Sequence, residues 1–244
     1  MIRSAFITML MGLAFGAPTF GQGFEIDTIP TAAGSLEIAF IGHGSLMFEH
    51  GSTVVHVDPV MRETDYRQLP AADLLLVTHR HGDHLDTAAI RTLTKAGTVV
   101  IVAPDCAGAV EGAVELANGG RRTVQGLAVE AVPAYNVVHK RDSGQPYHPK
   151  GDGNGYVITF ADTRVYVAGD TENIPEMKAL TDIDIAFLPM NLPYTMTPAM
   201  VADAARAFRP RMLYPYHYGS TDVSALTTLL RSESDIEVRI RRMP

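Results

Sequence analysis

The sequence predicts an α/β fold in which two β-sheets pack together with helices on the outside. Three observations predict it. Short β-branched and aromatic runs recur along the chain, each closed by Gly, Asp, Asn or Pro, as strands and their turns are. Helical patterns interrupt these runs, so strands dominate each half and helices are left to cover the sheets. The chain has 244 residues, 46% hydrophobic and 19% charged, enough to bury a substantial core as one domain.

In chain order, LEIAFIG (36–42), TVVHVDP (53–59), DLLLVTH (73–79) and TVVIVAP (98–104) read as strands of the first half. LAVEAVPA (127–134), GYVITFA (155–161), RVYVAGD (164–170), IAFLPM (185–190) and MLYPYH (212–217) read as strands of the second. Between them, DTAAIRTLTKAG (86–97) carries a helical pattern with Asp86 placed to cap it. TPAMVADAARAFRP (197–210) starts on Thr-Pro and stops before Pro210, and DVSALTTLLRSES (222–234) is a weaker third helix. The Gly-, Pro- and Lys-rich stretch from Asn136 to Asn154 reads as a long loop, a feature that in compact domains is functional or disordered.

Residues 1–22 are set apart from the fold. MIRSAFITMLMGLAFGA has one early positive charge, Arg3, and then no charge until Glu25, the layout of a secretory signal peptide. The expected mature chain is residues 23–244, a single domain without a membrane span, periplasmic or secreted. Cys106, the only cysteine, can form no intrachain disulfide and reads as a small buried residue. A formal net charge of −7 with no basic run disfavours nucleic acid and anionic membrane as partners, leaving a small-molecule substrate. Oligomeric state has no signature in the sequence.

The chemistry concentrates in THRHGDHLD (78–86). His79 and His81 point the same way if the strand stays extended, and Gly82 permits a turn that returns Asp83 and His84 toward them. Imidazole with carboxylate suits divalent zinc, manganese or iron, and so dense a cluster is costly to bury without a metal. Two more strands end on such residues, at Asp170 in VYVAGDT and His217 in MLYPYHYG. Alone, Asp170 is a turn residue and His217 a partly buried ring; with the first cluster they form the rest of one site.

T-H-x-H-x-D-H, then A-G-D-T, then P-x-H-Y, in that order, is similar to the metallo-β-lactamase superfamily, with IGHGS (41–45) and VDP (57–59) extending the likeness. IGHGS, VPAYN, HPKGDGNGY and NLPYTMTP resemble the branch that includes ascorbate-6-phosphate lactonase and N-acylphosphatidylethanolamine phospholipase D. The resemblance implies a four-layer αββα sandwich. It also implies two divalent ions: His79 and His81 on the first, Asp83, His84 and His217 on the second, and Asp170 between them. The family's histidine after a strand-ending Pro-Ala is missing, because Val132-Pro133-Ala134 is followed by Tyr135 and Asn136. His148 is the preferred replacement, with His139 and Asn136 as alternatives.

The implied chemistry is attack on an ester, lactone or phosphodiester by water activated between the metals, with Asp83 and Asp170 as the catalytic carboxylates. No thiolate is among the donors, so Zn2+ is favoured by abundance and Mn2+ or Fe2+ stay open. Asp58 resembles the supporting carboxylate, and His43 is either near the site or a turn residue. Tyr135, Asn136 and Tyr194 are expected at the substrate pocket, and His50 and His56 are structural. The rival reading is a non-catalytic metal-holding module on the same fold.

Overall fold

The computed structural model describes residues 23–244, and the segment read as a signal peptide lies outside the described residues. The first sheet consists of β1 (Glu25–Thr31), β2 (Gly34–Gly42), β3 (Ser45–His50), β4 (Thr53–Val57), β5 (Ala72–Val77), β6 (Thr94–Val102) and β7 (Val114–Glu115), in that spatial order. The second runs from β8 (Arg121–Val124) through β9 (Leu127–Ala134), β10 (Gly153–Phe160), β11 (Thr163–Val167), β12 (Ile185–Pro189) and β13 (Met212–Tyr216) to β14 (Glu237–Val238). Each sheet begins with antiparallel hairpins and ends in parallel strands, which are β4 to β7 in the first and β11 to β14 in the second.

All nine runs read from the sequence lie on strands. The five further strands β1, β3, β7, β8 and β14 are short or carry charged residues, so their pattern is weak against the turn residues beside them. The helix beginning at Thr87 is shorter than its pattern. This α1 (Thr87–Leu93) is capped by the Asp86 carboxylate, which accepts from the N–H groups of Ala88 and Ala89. It ends where Thr94 pairs with Ala72 and the chain enters β6, because sheet hydrogen bonds replace the helical ones. Downstream lie α2 (Pro175–Lys178), α3 (Pro198–Phe208) and α4 (Ser224–Leu229). Arg209 closes α3 in the left-handed conformation just before Pro210. The expected loop ends early as well, since Gly153 and Asn154 already pair with Ala134 and Pro133 in β10.

Three apolar layers explain the architecture. Phe40, Phe48, Leu74 and Leu76 of the first sheet meet Tyr156, Ile158, Phe187 and Tyr214 of the second. Outside the first sheet, Ile90 and Leu93 of α1 cover Leu75 and Val77, and Cys106 is buried there. Outside the second, Val201, Ala205 and Phe208 of α3 cover Tyr166, Ala186 and Leu188. The result is the αββα sandwich. Full burial of each large apolar side chain contributes about 1.5–3 kcal/mol, so all three layers carry the stability of the fold. Among the described residues no helix is long and apolar enough to cross a membrane.

The parallel strands of both sheets deliver their C-terminal ends to one edge of the sandwich. There Asn154 N–H donates to Thr78 O at 2.8 Å and His217 N–H donates to His43 O at 3.2 Å, joining the two sheets. Tyr156 of β10 donates its hydroxyl to Val77 O at 2.8 Å, closing the end of β5.

Candidate metal centre

Each strand that reaches this edge ends one or a few residues before a polar side chain. Asp58 follows β4, Thr78 and His79 follow β5, Asn136 follows β9, Asp170 follows β11, and His217 follows β13. His43, Asp58 and His217 hold φ of 51°, 45° and 46°, in the left-handed region that costs a non-glycine residue energy and is concentrated at functional sites. Gly44 is required by space: a Cβ there would sit 2.7 Å from His84 Cε1. Gly82 has no comparable constraint. Its φ is not positive and a Cβ would meet nothing within 4 Å, so the turn after His81 is held by His84 N–H and Leu85 N–H on His81 O instead.

The structure brings His79, His81, Asp83, His84, His148, Asp170 and His217 into one cluster that divides at Asp170. On one side, Asp170 Oδ2 lies 3.3 Å from His148 Nε2 and 3.8 Å from His79 Nε2. His81 Nδ1 completes this half, 3.1 Å from His79 Nε2 and 3.3 Å from His148 Nε2. On the other side, Asp170 Oδ1 lies 3.5 Å from His84 Nε2 and 3.5 Å from His217 Nε2. Asp83 Oδ2 completes that half, 3.7 Å from His217 Nε2. His43 adjoins it, with Nε2 3.1 Å from Asp83 Oδ2, Nδ1 2.9 Å from Pro244 O and its ring centroid 3.8 Å from that of His217, the two planes tilted by 39°.

Hydrogen bonds behind the rings fix which nitrogen faces inward. Asp58 accepts from Thr78 N–H at 2.8 Å, from the Thr78 hydroxyl at 2.6 Å and from His84 Nδ1–H at 2.7 Å. With its proton committed to Asp58, the Thr78 hydroxyl accepts from His79 Nδ1–H at 3.1 Å. Asn136 Oδ1 accepts from His148 Nδ1–H at 2.7 Å. His79, His84 and His148 therefore all present the bare lone pair of Nε2 to the cluster.

Such a set fits a cation. Inward lone pairs and a carboxylate converge without enough protons between them, and His84 Nε2, His217 Nε2 and Asp170 Oδ1 are buried with no partner. Each orphaned buried polar atom costs about 1–3 kcal/mol, which coordination would remove. The electrostatics show the same crowding. Burial and the neighbouring His84 hold His79 well below the usual imidazole range. His84 itself goes the other way: burial opposes its charge, but Asp170 and Asp58 outweigh it and raise the ring to about 9, so its Nε2 lone pair becomes available only as a cation displaces the proton. Asp170 is depressed well below the carboxylate range although burial opposes this, because His217 and His84 face it.

The remaining expected residues fall into two groups. Tyr194 stands half-exposed on the wall of a cavity of about 350 Å³ that opens onto His81, Asp83, His148, Asp170 and His217. Tyr135 does not reach the substrate side: it packs in the layer outside the second sheet and donates its hydroxyl to Glu176 at 2.9 Å. Asn136 is buried behind His148 instead of lining the cavity, since its amide is consumed by hydrogen bonds. His139 is turned away from the cluster, with its Nδ1 2.7 Å from Glu172 Oε1. His56 is buried, its Nε2 3.0 Å from Pro70 O, and His50 Nε2 lies 3.0 Å from Thr31 Oγ1, so both serve the sheet.

Sequence reasoning missed Thr78, Glu172, Arg141 and Tyr147. Glu172 is fully buried and accepts from the backbone N–H groups of Val137, Val138 and His139 and from Asn136 Nδ2. Its position directly after AGDT was the available signal. Arg141 and Tyr147 line the 350 Å³ cavity and an adjoining one of about 380 Å³ that also meets His79, His81 and His148.

Comparisons with known proteins bear on the family and the fold. A family model described as a beta-lactamase superfamily domain matches residues 37–217. The solved structure of a candidate metal-dependent hydrolase from Parabacteroides distasonis is 48% identical with a TM-score of 0.86, covering 91% of this chain and 100% of that one. A metal-dependent hydrolase of Thermococcus kodakarensis is 30% identical over 76% of this chain and 85% of its own. Igni18, a metallo hydrolase from Ignicoccus hospitalis, shares the fold at a TM-score of 0.69 and 23% identity, over 84% of this chain and 94% of its own. The fold, the clustered donors and the extent of these matches together establish that the chain belongs to the metallo-β-lactamase superfamily and is a hydrolase of that superfamily.

Proposed function

We propose that the chain holds two divalent metal ions side by side and hydrolyses an ester, lactone or phosphodiester with metal-activated water. The observation that carries this reading is the division of the cluster at Asp170, whose two oxygens face different sets of ring nitrogens. His79, His81, His148 and Asp170 would hold the first ion, and Asp83, His84, His217 and Asp170 the second. The donors are all nitrogen and oxygen, which suits Zn2+, Mn2+ or Fe2+. When bound, such a pair polarises a carbonyl or phosphoryl oxygen and lowers the pKa of water toward neutrality.

The chain's own residues orient and protonate. Asp83, about a third exposed on the cavity wall, is the donor carboxylate with access to substrate. The facing His217 ring and the hydrogen bond from His43 keep it ionised, the state required of a group that takes a proton and returns it to the leaving group. Asp170 is nearly inaccessible and serves to position. Among the described residues no serine or cysteine lines the cavity over both halves of the cluster, in keeping with attack by water: Ser143 lines only the adjoining cavity, and Cys106 is buried in the layer outside the first sheet, its thiol pushed well above its usual range by burial and Asp105. The lactone and phosphodiester alternatives follow the branch resemblance of IGHGS and HPKGDGNGY.

The test is elemental analysis of untagged protein purified without chelator, alongside turnover of an aryl ester, an aryl lactone and an aryl phosphodiester. The expected result is near two metals per chain and turnover that His81→Ala abolishes. One metal or none after supplementation, or turnover indifferent to His81→Ala, would overturn the dinuclear reading.

A further inference from the structure

The cavity over both halves of the centre carries one cation that is not a histidine, Arg141. It also lines the adjoining cavity, where Arg80 is the second. Arg141 is not on a slack segment. Arg141 N–H donates to Gln145 O at 2.8 Å, Gly144 N–H returns to Arg141 O at 2.8 Å, and Lys140 pairs with Pro146 across the hairpin. Gly144, at a φ of 83°, makes that turn cheaply where another residue would be strained. Two residues beyond Pro146 comes His148, so the hairpin that carries Arg141 is anchored by a donor of the centre.

The guanidinium is braced and unmatched. It lies 5.2 Å from the centroid of the Tyr147 ring, with Nη2 donating to Tyr147 O at 3.4 Å, and Tyr147 in turn meets Tyr194 edge-on at 5.0 Å. Arg67, Arg164, Arg206 and Arg209 are each paired with a carboxylate; among the described residues Arg141, like Arg91 and Arg122, pairs with none, but it alone of these lines both cavities at the centre. Of the carboxylates on the two cavity walls, Asp83 and Asp170 face the histidines, Asp105 Oδ2 accepts from Arg80 N–H, and Asp152 lines the adjoining cavity without pairing with Arg141. A planar, permanently charged fork held beside the reacting centre with no internal partner suits a bidentate oxyanion.

Resting on the hydrolase reading above, we infer that the substrate is anionic and that Arg141, braced by Tyr147, receives its carboxylate or phosphate group beside the bond that is cut. Arg141 is thus a specificity-determining residue, and Tyr147 positions it. The planar fork, not charge alone, is what this role requires, so lysine substitutes only in part.

The test compares fully metal-loaded wild type, Arg141→Gln and Arg141→Lys on aryl esters and aryl lactones made in matched carboxylate, phosphate and neutral forms. Wild type is expected to prefer an anionic form, and the anionic-to-neutral ratio of kcat/KM to fall roughly 10- to 100-fold in Arg141→Gln, mainly through KM. Arg141→Lys should recover part of it, and the carboxylate and phosphate arms identify which group is read. Equal metal content separates this effect from a damaged centre. An unchanged ratio in Arg141→Gln overturns the inference.

Failure of wild type on every compound would count against the hydrolase reading for these bonds, and calorimetric binding of phenyl phosphate and of benzoate to the same proteins then decides about Arg141. Binding of either at least tenfold weaker in Arg141→Gln upholds its role, and equal or undetectable binding of both to wild type and variant refutes it.

Discussion

The side-chain oxygen of Asn136 accepts two hydrogen bonds from His148, one from its backbone N–H at 2.8 Å and one from its ring Nδ1–H at 2.7 Å. The same amide donates from Nδ2 to Glu172 Oε1 at 3.1 Å and to Tyr194 O at 2.8 Å, so its orientation is set. Where the superfamily's motif leads one to expect a histidine, this chain has a residue that places a histidine from twelve positions later.

Asn136→Leu removes the acceptor and frees the His148 ring while keeping a similar volume. Affinity for one of two metals is expected to fall roughly 10- to 100-fold, the usual cost of losing an orienting partner. Asn136→Asp keeps the acceptor for Nδ1–H but sets a carboxylate oxygen against Glu172 Oε1 and Tyr194 O, so it should retain more metal affinity than the leucine variant while losing stability in denaturant unfolding. Metal titration of the two variants checks this, and equal affinities would remove Asn136 from the account.

Glu172→Gln tests the anchor of the 136–139 turn. Three backbone N–H groups now donate to a buried carboxylate, and the neutral amide is expected to cost about 1.5–3 kcal/mol in denaturant unfolding. Burial alone would raise the Glu172 pKa, but the donors from Val138, His139 and Asn136 prevail and lower it. A carboxylate depressed in the folded state adds stability that is present above its unfolded pKa and lost as pH falls through the folded one. The gap between wild type and variant should therefore be full at neutral pH and shrink as pH drops below the ordinary carboxylate range. A gap independent of pH would contradict it.

Gly44→Ala should damage the centre and spare the fold. The new Cβ would lie 2.7 Å from His84 Cε1, and His84 is pinned behind by Asp58, so the ring must shift against a fixed partner. Weaker metal binding is expected with an unfolding free energy within about 1–3 kcal/mol of wild type, the range for overpacking. Unchanged metal binding would mean that the turn yields instead.

Metal removal should lower stability in proportion to occupancy. Folded protein holds the donors together and the unfolded chain does not, so a chelator is expected to lower Tm and excess Zn2+ to restore it, by about 4 kcal/mol at a thousandfold excess over Kd. Asp170→Asn, which loses the shared charge, should show little of this response. Calorimetric scans with and without chelator provide the comparison.

Short β-branched and aromatic runs closed by turn residues were enough to locate nine of the ten interior strands, because a buried strand must carry apolar residues whatever its partner. THRHGDH announced a metal site for a similar reason: several unpaired donors in so few residues are expensive to bury. Strand order, by contrast, depends on pairing across the sandwich, and two-residue strands such as β7 and β14 exist only because a neighbour supplies their hydrogen bonds. The role of Asn136 was equally invisible, since it depends on the hairpin returning His148 to its side chain. So were the burial of Tyr135 against Glu176 and the isolation of Arg141 from every carboxylate. By itself the sequence determined which residues are chemically able to act, because side-chain type and local period are properties of the chain. Only the tertiary structure decided which of them meet, because contacts between distant residues follow from burying both sheets at once.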